Sequence, residues 1–365
     1  MKLLYIIPNI NNEGGVARTL AIKTKVLIEK WNYEVHILTQ NNGNSTPFYD
    51  FDDKIIFHDM ILKGNLFQFL NTYRKSLLRL IVLVKPDVVI VSDNGLKAFA
   101  IPFLIKSEVP IVFECHGSRY IEESKEKYWL LSKGLRFLKY NFKSFGAKKF
   151  TKFVALSNES LAEWDLNNSI VIPNPSWLQP KKQAELKNKK VIAVARNSYE
   201  KGLDRLLLIW QKLAIKYPDW VLEIYGKEVT SLKVVGEKLG IDSSVSFYEP
   251  VQNIAAKYEE ASIFVMTSRQ EGFPMVLIEA ISSGLPCIAY DCPCGPRAII
   301  KNDVDGFLIP DGDEDVFVEK LHQLMQEEEL RKLFGSKAAK SVAQYNSNSI
   351  MKQWNELFLE LASKN

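Results

Sequence analysis

Two glutamates, Glu271 and Glu279, open the case for chemistry. They lie in the stretch Ser268-Arg269-Gln270-Glu271-Gly272-Phe273-Pro274-Met275-Val276-Leu277-Ile278-Glu279-Ala280. An apolar run ends near Met266, and Gly272 and Pro274 prevent regular structure around Glu271. Pro274 suits the first turn of the following helix, where its missing N–H has no intrahelical partner to lose. Gly284 ends that helix. Glu271 is thus expected in a loop and Glu279 within a helix, aimed at one site from two directions. The leading amides of the helix, those of Met275, Val276 and Leu277, form an anion site. A carboxylate beside such a site repels bare phosphate but accepts hydrogen bonds from hydroxyls. Two of them flanking the amides suit a ligand with hydroxyls at both ends and phosphate between, as in a nucleoside diphosphate sugar. The plainer reading stays open: a solvated loop carboxylate and an exposed helix glutamate.

Three other places carry matching chemistry. Arg196 and Lys201 stand in Arg196-Asn197-Ser198-Tyr199-Glu200-Lys201-Gly202, between an apolar run and a helical pattern. Arginine offers a planar fork to phosphate oxygens and lysine a point charge. A lysine at a helix start opposes the helix dipole, which calls for another reason for its presence. Both also read as ordinary loop cations. Gly14 and Gly15, in Asn11-Asn12-Glu13-Gly14-Gly15-Val16-Ala17-Arg18, follow the first apolar run. Paired glycines let backbone approach a phosphate or sugar closely. The spacing is not G-x-G-x-x-G, and no P-loop lysine follows. His116, in Glu114-Cys115-His116-Gly117, follows another strand-like run and reads evenly as a structural histidine or a ligand contact.

The elements that must position these residues alternate along the chain. Strand-like runs at 3–7, 34–38, 88–91, 111–113 and 152–156 alternate with helical patterns at 16–30, 66–84 and 128–145. Ile172-Pro173-Asn174-Pro175 then leads into a Lys- and Gln-rich stretch, and the alternation restarts at Val191. The expected class is α/β, with two Rossmann-like, doubly wound domains facing across a cleft. The expected boundaries are 1–172, a linker over 173–190, a second domain over 191–345 and a final amphipathic helix within 346–365. In such sheets ligands bind beyond the carboxyl ends of the strands, where all four motifs fall.

Together these motifs resemble the family 4 retaining glycosyltransferases of GT-B fold. The resemblance covers nearly the whole chain. Its most specific part runs from Glu271 to Glu279 and on through Gly284-Leu285-Pro286, Asp291, Gly295-Pro296, Gly306 and Asp311. It implies that Arg196 and Lys201 clamp the diphosphate of a UDP- or GDP-linked sugar, with the amides of Val276 and Leu277 assisting. Glu279 then holds the ribose hydroxyls. Glu271, with the backbone of Gly272, Phe273, Pro274 and Met275, binds the donor sugar. His116 faces the anomeric carbon and sugar O6, the amide of Gly15 faces the diphosphate, and Gly226 admits the nucleotide. Base contacts come from residues 249–251. The last helix, with Trp354, returns to the N-terminal domain. The resemblance further implies retention of anomeric configuration without a metal or other cofactor.

Composition narrows the alternatives. A net charge of +4 is too small for nucleic-acid binding. Residues 1–172 hold 23 Lys and Arg against 17 acids, so the basic excess lies in the first half. Residues 125–150 carry eight Lys and Arg against one acid, interleaved with aromatics. That mixture suits an anionic membrane surface, or equally a core helix with a basic face. Were the membrane reading right, the acceptor would be lipid-linked, as in polysaccharide or lipopolysaccharide assembly. Four cysteines argue for a reducing, cytoplasmic location, peripheral to the inner face of the membrane if that surface docks. Cys287, Cys292 and Cys294 lack zinc spacing, so no metal site is expected. An NAD-dependent oxidoreductase is disfavoured by the missing fingerprint. A nucleotide-sugar binder without transferase activity stays open, and no oligomeric state follows.

Overall fold

Short runs of Val, Ile and Leu, separated by helices, build two parallel sheets in a computed structural model of the chain. The structure describes residues 1–12, 14–43, 45–105, 108–120, 129–180 and 182–364. Glu13, residues 125–128 of the basic stretch and residue 181 of the expected linker lie outside the described residues.

The first unit comprises Met1–Pro175 and Ser347–Asn365. Its strands are β1 (Lys2–Ile6), β2 (Glu34–Gln40), β3 (Ile56–Met60), β4 (Val88–Val91), β5 (Ile111–Cys115), β6 (Lys152–Ala155) and β7 (Ser169–Val171). They form one sheet in the order β3-β2-β1-β4-β5-β6-β7, parallel throughout. The central strands are buried on both faces, which is why they read as unbroken apolar runs. On β1, Leu4 and Ile6 pack with Tyr73, Leu77 and Ile81 of the helix Leu66–Val84. Leu3 and Tyr5 face the other way, toward Ile350, Trp354 and Phe358 of the final helix, Ser347–Ala362. Strands β3 and β7 escaped the sequence reading. They are edge strands, partly exposed, and lack a continuous apolar run.

The second unit is Ser176–Asn346. Its strands are β8 (Lys190–Val194), β9 (Val221–Tyr225), β10 (Val245–Tyr248), β11 (Ile263–Met266), β12 (Cys287–Asp291) and β13 (Gly306–Pro310). They are parallel, in the order β10-β9-β8-β11-β12-β13. Val191, Ala193, Leu222, Ile224 and Val265 pack against the helices Leu203–Ala214 and Glu314–Gln326.

Much of the expected linker is built into this second unit. The Ser176 amide bonds the Tyr345 carbonyl at 2.8 Å, and the Ala184 amide bonds the Ser283 carbonyl at 2.9 Å. Leu186 is buried, and its carbonyl accepts from Arg331 Nε at 3.1 Å. Prolines and lysines suggested a spacer, but buried apolar residues and backbone bonds fix the segment to the domain.

Candidate functional site

Strand order in the second sheet reverses between β8 and β11, and the segments that follow these two strands bring Lys201, Glu271 and Val276 together. A concavity there is lined by Val194, Ala195, Lys201, Thr267, Ser268, Glu271 and Val276. Two locks join the loops. Gly202 adopts a left-handed backbone, φ 61°, and a Cβ there would sit 2.1 Å from the Thr267 carbonyl oxygen. Thr267 Oγ1 donates to the Gly202 carbonyl at 2.9 Å. Arg269 forks onto Asp204 at 2.8 and 2.5 Å and donates to the Tyr199 carbonyl at 2.8 Å.

Lys201 Nζ lies 2.8 Å from both carboxylate oxygens of Glu271, and Ser268 Oγ donates to Oε1 at 2.6 Å. Glu271 is 7% exposed. Its amide donates to the Pro293 carbonyl at 3.2 Å, tying it to the loop after β12. Gly295, φ 105°, brings that loop against Pro274, where a Cβ would meet the ring at 2.3 Å. Phe273 is buried edge-on to Tyr345, ring centroids 5.8 Å apart, and Gly272 beside it is half-buried.

Pro274 is not in the first turn of the helix. It is the N-cap, with extended backbone, and the helix is Met275–Ser282. The cap carbonyl takes the Leu277 amide at 3.0 Å. The expected trio of leading amides is therefore a pair, Met275 and Val276, because a tight turn at the cap consumes the third.

Glu279 is 1% exposed, not a surface helix residue. Trp177 Nε1 donates to its Oε1 at 2.7 Å, and the Tyr258 hydroxyl to its Oε2 at 2.9 Å. These bonds fix the direction in which the carboxylate points. Sequence reading missed both donors. Tyr258 carried a signal: it shares an apolar stripe with Ile254, and a buried tyrosine hydroxyl needs a partner. Trp177 stood among prolines in the supposed linker.

Arg196 is exposed, its Nε 3.3 Å from Ser198 Oγ. Gly226 has a packing reason as well as the expected ligand one. A Cβ there would lie 2.0 Å from the Ala195 carbonyl oxygen, against the peptide that launches Arg196. Beside it, Glu249 accepts from Thr230 Oγ1 at 2.9 Å.

Gly14, Gly15 and His116 belong to the first unit. Gly14 caps the helix Gly15–Trp31, and its amide donates to Asn12 Oδ1 at 2.8 Å. The His116 imidazole is 4% exposed, and its Nε2 meets Glu114 Oε2 at 3.1 Å.

Known proteins resemble this chain in sequence and in fold. Residues 176–341 match the sequence profile of the family described as glycosyl transferases group 1. An uncharacterized glycosyltransferase of Haemophilus influenzae is 30% identical over 366 residues, covering 97% of this chain and 98% of its own. The amylovoran biosynthesis glycosyltransferase AmsD of Erwinia amylovora is 30% identical over 368 residues, covering 98% of this chain and 99% of its own. The solved structure of Anabaena HepE in complex with UDP-glucose superposes with a TM-score of 0.79 at 16% identity, covering 99% of this chain and 100% of that one.

Proposed function

The chain belongs to the group 1 glycosyl transferases, of the family 4 type and GT-B fold, and from that premise we propose the reaction it performs. It moves a hexose or N-acetylhexosamine from a UDP- or GDP-linked donor to a glycan or lipid-linked acceptor, in cell-surface polysaccharide or lipopolysaccharide synthesis. The observation that carries this reading is the concavity itself: Lys201, Glu271 and Val276 line one hollow at the switch point of the second sheet. The polysaccharide role is supported by the AmsD relative, and a UDP-linked donor by the HepE complex.

In this reading Arg196 and Lys201 bind the diphosphate, with the amides of Met275 and Val276 at the helix end. Glu279 receives the ribose hydroxyls. Glu271 receives those of the sugar, and His116 and Gly15 of the first unit keep the roles the resemblance gives them. Glu271 is gripped on both oxygens by an ammonium, which suits it to orient hydroxyls and makes it a poor nucleophile. A front-face transfer follows. The bond from the anomeric carbon to the diphosphate oxygen breaks, the acceptor oxygen bonds on the same face, and its proton passes to the departing phosphate oxygen. The two cations neutralise the leaving group, the work a metal does in other transferases.

Turnover tests this at saturating donor, in excess chelator. Arg196→Ala and Lys201→Ala are each expected to slow it by roughly 10²–10³. Unchanged turnover in both, or loss of wild-type activity on chelation, ends the corresponding assignment.

The acceptor side includes an anionic membrane surface on the cytoplasmic face. The helix Trp129–Ala147 exposes Leu135, Phe137, Leu138 and Phe145, with the half-buried Arg136 and Lys139 between them in sequence. No described helix is long and apolar enough to cross a membrane. Co-sedimentation with anionic vesicles, weakened by salt, is expected; equal recovery with neutral vesicles removes the membrane from the account.

A further inference from the structure

Beyond that site, the first unit buries a lysine at a position where its helix calls for an apolar residue. Lys23 lies on the helix Gly15–Trp31 between Leu20 and Leu27, on the stripe that faces the sheet, and its side chain is 1% exposed. Its ammonium bonds Glu114 Oε1 and sits 3.4 Å from the ring centroid of Trp354, in the final helix. Glu114, at the end of β5, is itself 3% exposed. Its other oxygen, Oε2, accepts from Ser92 Oγ at 2.7 Å and meets His116 Nε2 at 3.1 Å. The His116 amide donates to Asn94 Oδ1 at 3.2 Å.

A well-packed apolar pair is often as stable as a buried ion pair or more so, so packing alone does not explain these charges. From this geometry we infer that Glu114 is a positioning residue for His116, fixed by Lys23 and Ser92, with Trp354 closing over the Lys23 ammonium. The inference rests on the sugar-facing role of His116 given above.

The chemistry is specific. An ionised carboxylate only accepts, so a neutral imidazole facing it carries its proton on Nε2. Nδ1 then presents a lone pair, which accepts from a sugar hydroxyl and does not donate. Lys23 sets the strength of the arrangement. The ammonium matches the Glu114 charge while Glu114 orients the ring. Among the described residues, the imidazole meets Glu114 of β5; Lys23 from the first helix bonds Glu114, and Tyr5 of β1 lies beside Lys23. Burial keeps the Tyr5 phenol protonated. Burial pushes the Glu114 carboxyl up, but the Lys23 charge and the hydrogen bond with His116 outweigh it and hold the group down at about 2. The final helix thus reaches the histidine through three contacts: Trp354 to Lys23, Lys23 to Glu114, and Glu114 to His116.

Nitrogen-15 NMR of the histidine rings tests this. The chain has four histidines, and His116→Gln assigns the signal. In the wild type the neutral form of His116 is expected as the Nε2–H tautomer. In Lys23→Met, Glu114 faces His116 without its cation, and the His116 titration moves up by about one pH unit, a tenfold change in proton affinity. Lys23→Arg restores the wild-type midpoint. In Glu114→Gln the tautomer preference is lost. Should Lys23→Met fail to fold, the double variant Lys23→Met/Glu114→Gln removes both charges together and is expected to show the same mixed tautomers. A His116 signal unmoved in these variants overturns the inference. Unchanged turnover in His116→Ala would instead withdraw the sugar-facing role and leave the ring measurements standing.

Discussion

Glu271 and Glu279 are eight residues apart, both buried, and held by opposite chemistry. Glu271 is gripped by an ammonium and a serine hydroxyl. Glu279 is held by an indole and a phenol, donors that orient a carboxylate but bring no charge of their own. The difference divides the labour of the site. At the first position the glutamate and the lysine fix each other, so in the proposed reading the Lys201 charge serves both the protein and the ligand. Arg196 is the cation left exposed at the mouth of the β8 loop. At the second position an indole and a phenol aim the carboxylate. One motif thus holds a buried ion pair and a carboxylate set by two uncharged donors.

The largest effect should come from breaking the ion pair. Lys201→Met leaves Glu271 buried without its cation. Removing one partner of a buried pair costs about 3–5 kcal/mol, and the lower end applies because the Lys201 side chain is 25% exposed. Urea denaturation should show a loss of about 3 kcal/mol. Adding Glu271→Gln should recover most of it. A loss under about 0.5 kcal/mol would class the pair with ordinary surface bridges and remove the contrast.

How legible each half was in the sequence follows the same division. The residues on loops after strands were legible, because Gly and Pro mark the breaks and the charges stand beside them. The placement of Arg196, Lys201 and Glu271 beside such breaks was read in this way, and the burial of Glu279 was not. Its partners are 102 and 21 residues away, and no local pattern links Trp177 or Tyr258 to it. The Lys23–Glu114 pair spans 91 residues and left one trace, a lysine on an apolar helical stripe. In the fold, central strands announced themselves by runs of Val and Ile. Edge strands β3 and β7 did not, since half their residues face water. The linker misled because composition reports flexibility only when nothing packs on the segment, and here Leu186 and the Ala184 amide are both engaged.

A smaller change separates the two carboxylates by function. Trp177→Phe keeps the ring and deletes one hydrogen bond to a charged acceptor, worth about 1.5 kcal/mol. If Glu279 reads the ribose, that loss appears in nucleotide binding and depends on the ribose hydroxyls. Calorimetry with a nucleoside diphosphate should show affinity falling by about tenfold, since 1.4 kcal/mol is a factor of ten. The 2′,3′-dideoxy analogue offers the carboxylate nothing to accept from, so its affinity should hardly change. Selectivity for ribose over dideoxyribose therefore shrinks in Trp177→Phe. Lys201→Met, acting at the sugar and diphosphate, should weaken both ligands alike and leave that selectivity intact. Equal losses for the two ligands in Trp177→Phe would mean that the indole only supports the fold, and the two glutamates would then differ in their partners but not in what they read.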